Sequence, residues 1–252
     1  MADPAALTID GLTKRFGGLV AVDDISIAFE PGKLNAVIGP NGAGKTTLFN
    51  LICGELRADA GRITFNGRSI AGLKPHQIVR CGISRTLQIK SVFAGLTVRE
   101  NVCAAVMAHE QVRSFIRPVW LYDEIADRVT HLIDEVGLSP FADRLASTLS
   151  YGDVALLELA LALANNPKLL LLDEPVCGMG PEETERTVAI IRDISERTNV
   201  ILIEHDMEVV FAVADEIVVM AQGRLLARGT PAEISSNAQV QEAYLGAPDD
   251  EV

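Results

Sequence analysis

The chain has 252 residues, enough for one compact unit with a subdomain, and 48% of them are hydrophobic, enough to build a sizeable core. Lys and Arg number 22 and Asp and Glu 34, a net charge of −12. That balance disfavours broad binding to nucleic acid or anionic lipid, although it leaves room for a local basic site.

Met1-Ala2-Asp3-Pro4 shows no cationic segment ahead of an apolar run, so no signal peptide is expected. No stretch approaches the ~18 uncharged apolar residues of a membrane helix. Cys53, Cys81, Cys103 and Cys177 form neither a CxxC pair nor a metal-like spacing and read as small buried residues of a reducing compartment.

Leu7–Ile9 and Ile25–Phe29 read as strands, and Pro31-Gly32 as a turn. Leu34–Ile38 is a short buried strand that runs into a glycine-rich loop and a helix from about Thr46 to Cys53, closed by Gly54. Ile63–Phe65 enters a hairpin turn at Asn66-Gly67. From about Lys90 to Asn165 the pattern turns helical, with Ile125, Val129, Leu132, Ile133 and Val136 on one face. Leu169–Leu172 reads as a strand buried on both faces, Pro181–Thr198 as a helix, and Val200–Ile203 as another buried strand. Ile217–Met220 and Leu225–Arg228 form a hairpin about Gln222-Gly223, and residues 247–252 an acidic tail. Strands alternating with helices predict a mainly parallel sheet, an α/β fold.

Gly39-Pro40-Asn41-Gly42-Ala43-Gly44-Lys45-Thr46 fits the G-x-x-x-x-G-K-[ST] phosphate cradle. Glycines let successive N–H groups turn toward an anion, and the helix beginning here aims its positive end at the same point. Lys45 can reach the outer phosphates, and the Thr46 hydroxyl can ligate Mg²⁺. Asp173 and Glu174 end the leucine strand at the edge where open α/β sheets collect ligands. Asp173 suits the metal, and Glu174 suits orienting or deprotonating the attacking water. His205 follows the next strand to the same edge, where a donor can contact a γ-phosphate.

These residues, with Leu149-Ser150-Tyr151-Gly152-Asp153 at the start of a helix, resemble the ABC transporter ATPases over residues 6–246. The resemblance implies a RecA-like P-loop core (6–88 and 166–246), an N-terminal antiparallel β subdomain and an inserted helical subdomain (89–165). It implies that ATP with Mg²⁺ is held by Gly39, Asn41, Gly42, Ala43, Gly44, Lys45, Thr46 and Thr47. Phe16 would stack on adenine with Val22 nearby. Gln88 would touch the metal and the attacking water, His205 would act as a switch, and residues 176–181 would occupy the D-loop position. Ser150 and Gly152 would meet the ATP of a second ATPase subunit in a head-to-tail pair. Partners implied are that subunit (the same chain or, by preference, a sister chain), two permeases whose cytoplasmic helix sits near Gln88, and indirectly an extracytoplasmic binding protein. The implied location is the cytoplasmic face of the inner membrane, held peripherally.

Phe16-Gly17-Gly18-Leu19, Gly178-Met179-Gly180-Pro181 and the tail 229–246 look like the branched-chain amino acid importer branch. Importers of urea or short amides, exporter ATPases and weakly hydrolysing regulatory subunits remain alternatives. Asp153 departs from the family's usual glutamine. Ser150 and Asp153 suit a helix cap. Yet two like charges ~6 Å apart at an effective dielectric of ~20 cost about 3 kcal/mol, so Asp153 is expected to weaken the composite site.

Overall fold

The computed structural model describes residues 7–86, 92–110 and 123–245. Ten strands and nine α-helices are placed among them. The strands are β1 (Leu7–Phe16), β2 (Leu19–Phe29), β3 (Leu34–Ile38), β4 (Ala60–Phe65), β5 (Arg68–Ser69), β6 (Ile83–Arg85), β7 (Leu169–Asp173), β8 (Asn199–Ile203), β9 (Glu216–Ala221) and β10 (Arg224–Gly229). The helices are α1 (Lys45–Ile52), α2 (Pro75–Arg80), α3 (Val98–His109), α4 (Asp123–Glu135), α5 (Tyr151–Leu163), α6 (Pro181–Ser195), α7 (Met207–Val213), α8 (Pro231–Ser235) and α9 (Ala238–Leu245).

The central sheet has the order β10-β9-β3-β8-β7-β6 and is parallel except for the β9–β10 hairpin. Strands β3 and β7 are buried at every position, as expected of parallel strands covered on both faces. Period-2 alternation divides their side chains between two cores. Leu169, Leu171, Val37 and Ile203 face α1 and the second sheet. Leu170, Leu172, Ala36 and Leu202 face α3–α7. The second sheet, β2-β1-β4-β5, is antiparallel throughout.

Strands β1 and β2 run well beyond the apolar stretches Leu7–Ile9 and Ile25–Phe29. Register shifts carry the ladder through polar residues, helped by positive φ at Gly11 (58°) and Asp24 (54°). Both expected hairpin turns have two consecutive positive-φ residues: Asn66-Gly67 (47°, 76°) and Gln222-Gly223 (49°, 78°).

Among the described residues of the stretch read as helical, the structure places α3, α4 and α5. Thr97 and Glu100 form a capping box at the start of α3, and Ser150 caps α5. On α4 the buried face is Ile125, Val129, Leu132 and Ile133, with Val136 just beyond it also buried. Helix α5 is apolar over most of its surface and packs against α3, α4, α6 and β6. Among the described residues, no helix is long and apolar enough to cross a membrane. Of the four cysteines only Cys53 is buried; Cys81 and Cys103 are half-buried and Cys177 is exposed, so the expectation of four buried residues is corrected.

Candidate functional site

Strand register sets the site. Val37 of β3 and Asp173 of β7 both pair with Ile203 of β8, which lies between them. The segments leaving these strands therefore converge: Gly39–Thr47, Glu174, and Glu204-His205.

The loop from Gly39 turns into α1 through Gly44, whose φ is 99°. A Cβ on Gly44 would lie 2.2 Å from the Ala21 carbonyl oxygen, and one on Gly39 would lie 2.1 Å from that of Met220. Only glycine permits this approach. The Gly223 N–H donates to the Ala43 carbonyl at 3.1 Å, pinning the β9–β10 turn to the loop. The Lys45 ammonium donates to the carbonyls of Gly39 (2.6 Å) and Pro40 (3.1 Å). Burial holds its pKa below the usual lysine value, opposed by the charges of Glu174 and Asp173. Thr46 is exposed in the first turn of α1, next to Thr47.

A cleft of ≈ 620 Å³ runs over this loop. Its walls are Phe16, Leu19, Val20 and Ala21 from the β1–β2 turn, residues 41–47 of the loop, and Glu174 and Gln222. Phe16 is 45% exposed, and Lys14 Nζ lies 5.5 Å from its ring centroid, so the ring is surface and not core. Val22 was expected in this cleft and is not. Its side chain is fully buried between the sheets with Ile25 and Ile27, because β2 turns it inward. Val20 and Ala21 line the cleft in its place. The sequence marks Gln222 only as a turn residue; its positive-φ turn presents it to the cleft.

The Asp173 side chain is 0% exposed and pairs with the Arg85 guanidinium at 2.5 Å. Glu174 has φ 51°, an uncommon conformation for a residue with a Cβ and one that collects at functional sites. Its N–H donates to the Ile203 carbonyl at 2.9 Å, which locks the turn. His205 Nδ1 lies 4.0 Å from Glu174 Oε1 and 3.7 Å from Glu204 Oε2. Glu204 was not anticipated. Its buried carboxylate accepts N–H donors from Val176 (3.2 Å), His205 (3.0 Å) and Asp206 (3.4 Å). Burial raises its pKa above the ordinary glutamate value, and these donors pull it part of the way back. Glu204 thus joins the base of the His205 segment to the D-loop position. There the exposed Cys177 has its thiol pushed up by partial desolvation and then by the charges of Glu174 and Glu204, which disfavours a reactive thiolate.

Ser150 and Gly152 do not line the cleft. Ser150 Oγ donates to Glu183 Oε1 at 3.0 Å and accepts from the Asp153 N–H at 3.1 Å. Gly152 is buried, and a Cβ there would lie 2.9 Å from Glu183 Cδ. Asp153 pairs with Arg186 of α6 at 3.4 Å, a counter-ion the sequence reading did not supply. Gln88 lies outside the described residues.

Fold and loop together define a P-loop nucleotide-binding protein of the α/β class. The ABC transporter family matches residues 22–177, and a family described as branched-chain amino acid ATP-binding cassette transporter matches residues 224–250. The chain is 41% identical over 248 residues to the high-affinity branched-chain amino acid transport ATP-binding protein BraF of Pseudomonas aeruginosa, covering 95% of this chain and 97% of that protein. It is 38% identical over 250 residues to LivG of Escherichia coli K12, described in the same words, with the same coverage. A crystal structure of the ADP conformation of an ATP-binding cassette of an ABC transporter superposes with TM-score 0.85 at 29% identity, over 96% of this chain and 99% of that one. The chain belongs to the ABC transporter family.

Proposed function

We propose that the chain binds and hydrolyses ATP to energise an importer of branched-chain or other hydrophobic amino acids. The observation that carries the ATPase reading is the convergence of the 39–47 loop, Glu174 and His205 at one sheet edge. Likeness to BraF and LivG over nearly the whole chain supports the cargo.

In this reading adenine stacks on Phe16 beside Leu19 and Val20, and the N–H groups of residues 41–47 cradle the phosphates. Lys45 leaves its loop carbonyls for the β- and γ-phosphates. Glu174 orients and deprotonates the water that attacks the γ-phosphorus, and His205 donates to the γ-phosphate as charge builds. Thr46 and Asp173 supply hard oxygen donors, the chemistry Mg²⁺ prefers, with Gln88 as a further proposed ligand. When bound, Mg²⁺ neutralises charge on the phosphate oxygens.

Ser150 and Gly152 lie away from the chain's own cleft, which supports a role toward the ATP of a second ATPase subunit, a sister chain by preference. Residues 89–165 form the proposed helical subdomain inserted between 6–88 and 166–246. Exposed Phe93 and Leu145 there support docking of a permease helix at the cytoplasmic membrane face. Arg186 offsets part of the repulsion expected from Asp153.

The test is reconstitution in vesicles with a sister ATPase, two permeases and a binding protein. Leucine uptake that needs ATP supports the reading. ATP-dependent uptake of urea or an amide in place of leucine contradicts the cargo while keeping the ATPase.

A further inference from the structure

Arg85 is carried by β6, and its side chain is only 8% exposed. Nη2 donates to Asp173 Oδ2 at 2.5 Å and Nη1 to Asn50 Oδ1 of α1 at 2.6 Å, with Glu55 3.5 Å from Nη1. The guanidinium carbon lies 5.7 Å from the Phe49 ring centroid. Nε is buried without a hydrogen-bond partner among the described residues. A buried unpaired donor is costly. The arginine is therefore held where Asp173 and Asn50 require it, not where its own donors are best satisfied.

The same strand end also holds the aspartate's backbone and the strand that carries it. Thr86 Oγ1 accepts from the Asp173 N–H at 3.3 Å, and the Thr86 N–H donates to the Leu171 carbonyl at 3.0 Å. Two residues further on is Gln88.

We infer that Arg85 is a positioning residue for Asp173. It fixes the buried carboxylate that would hold the metal and ties it to α1, the helix that carries Lys45 and Thr46. It also joins Asp173 to the strand that leads to Gln88. A carboxylate with no exposed surface needs a counter-charge, and a planar guanidinium can serve Asp173 and Asn50 at once at fixed angles. Lysine keeps the charge and loses that fork. The inference rests on the proposed reading of Asp173 as the metal-facing carboxylate.

The experiment measures the Mg²⁺ concentration that gives half-maximal enhancement of binding of a fluorescent ATP analogue. Binding in EDTA and the melting temperature are recorded beside it, for the intact chain and for Arg85→Lys, Asn50→Ala and Asp173→Asn. Partners that orient metal ligands typically contribute 10- to 100-fold to metal affinity. Asp173→Asn and Arg85→Lys are each expected to raise the Mg²⁺ requirement about tenfold or more. Asn50→Ala is expected to shift it the same way by less, with binding in EDTA within about twofold of the intact chain. If Asp173→Asn shifts the requirement while Arg85→Lys and Asn50→Ala leave it in place, Arg85 is a structural ion pair and the inference is overturned, whatever the melting temperatures do. If Asp173→Asn itself shifts nothing, the reading of Asp173 fails and takes the inference with it. Should Arg85→Lys not fold, Asn50→Ala decides, and an unchanged Mg²⁺ requirement overturns the inference.

Discussion

His205 Nδ1 stands 4.0 Å from Glu174 Oε1, across the junction of two parallel strands whose register places Asp173 opposite Ile203. The proposed donor to the γ-phosphate and the proposed base for water thus share one small volume. Removing one preorganised donor to developing charge costs about 10²- to 10³-fold in rate. His205→Ala is expected to slow single-turnover hydrolysis by about that much and to leave ATP affinity within a few-fold. Loss of affinity with an unchanged rate would assign His205 to ground-state binding instead.

Phe16 projects from the β1–β2 turn and supports no core. Aromatic stacking contributes about 0.5–1.5 kcal/mol, so Phe16→Ala should weaken ATP binding about two- to tenfold without lowering the melting temperature. Equilibrium titration with ATP and thermal melts check both parts. Val22→Ala should behave in the opposite way. It removes core volume from a fully buried site, lowering stability by about 1–3 kcal/mol and barely touching affinity.

Gly44 allows the loop to pass within contact of the Ala21 carbonyl. Gly44→Ala forces a Cβ into that space at φ 99°, and overpacking of this kind costs about 1–3 kcal/mol. Reduced melting temperature together with lost nucleotide binding is expected. Normal binding by a fully stable variant would show that the loop can relax.

Asp153 and Arg186 invite a double-mutant cycle. Arg186→Gln should weaken nucleotide-driven association with a second ATPase subunit, because it uncovers the Asp153 carboxylate. In an Asp153→Gln background the same change should have little effect. Equal effects in both backgrounds would mean that Arg186 acts through the Gly137 carbonyl it also binds, not through Asp153.

Glu204 links pH to stability. Its folded pKa is raised, so the folded state holds this proton more tightly than the unfolded chain does. Its contribution is fully present below the ordinary glutamate value and is lost as pH rises through the raised folded value. Glu204→Gln should flatten the fall in melting temperature across that window. An unchanged slope would show that the three backbone donors already offset the burial.

Much of the core was legible because its signals are local. The run Leu169–Leu172 can only be a doubly covered strand or a buried helix segment, and the two acids that end it favour the strand. The loop from Gly39 announces itself because the backbone geometry demands glycine at fixed positions. Other elements carry no such signal. Strand β6 has three residues and exists because Ile83, Ser84 and Arg85 pair with β7. Helix α2 has six residues, too few to show a period. Val22 was misplaced because a valine next to a proposed adenine site does not reveal which face of its strand it occupies. Arg85 and Arg186, and Glu204 through Val176, matter through partners distant in the chain, and only the fold brings those pairs together.

The central claim is ATP hydrolysis centred on Glu174. The direct measurement is Mg²⁺-dependent phosphate release by the chain with a sister ATPase subunit, beside a Glu174→Gln variant of this chain. The account predicts that the variant still binds ATP while hydrolysis at this chain's own site disappears. Undiminished hydrolysis at that site in the variant would contradict it.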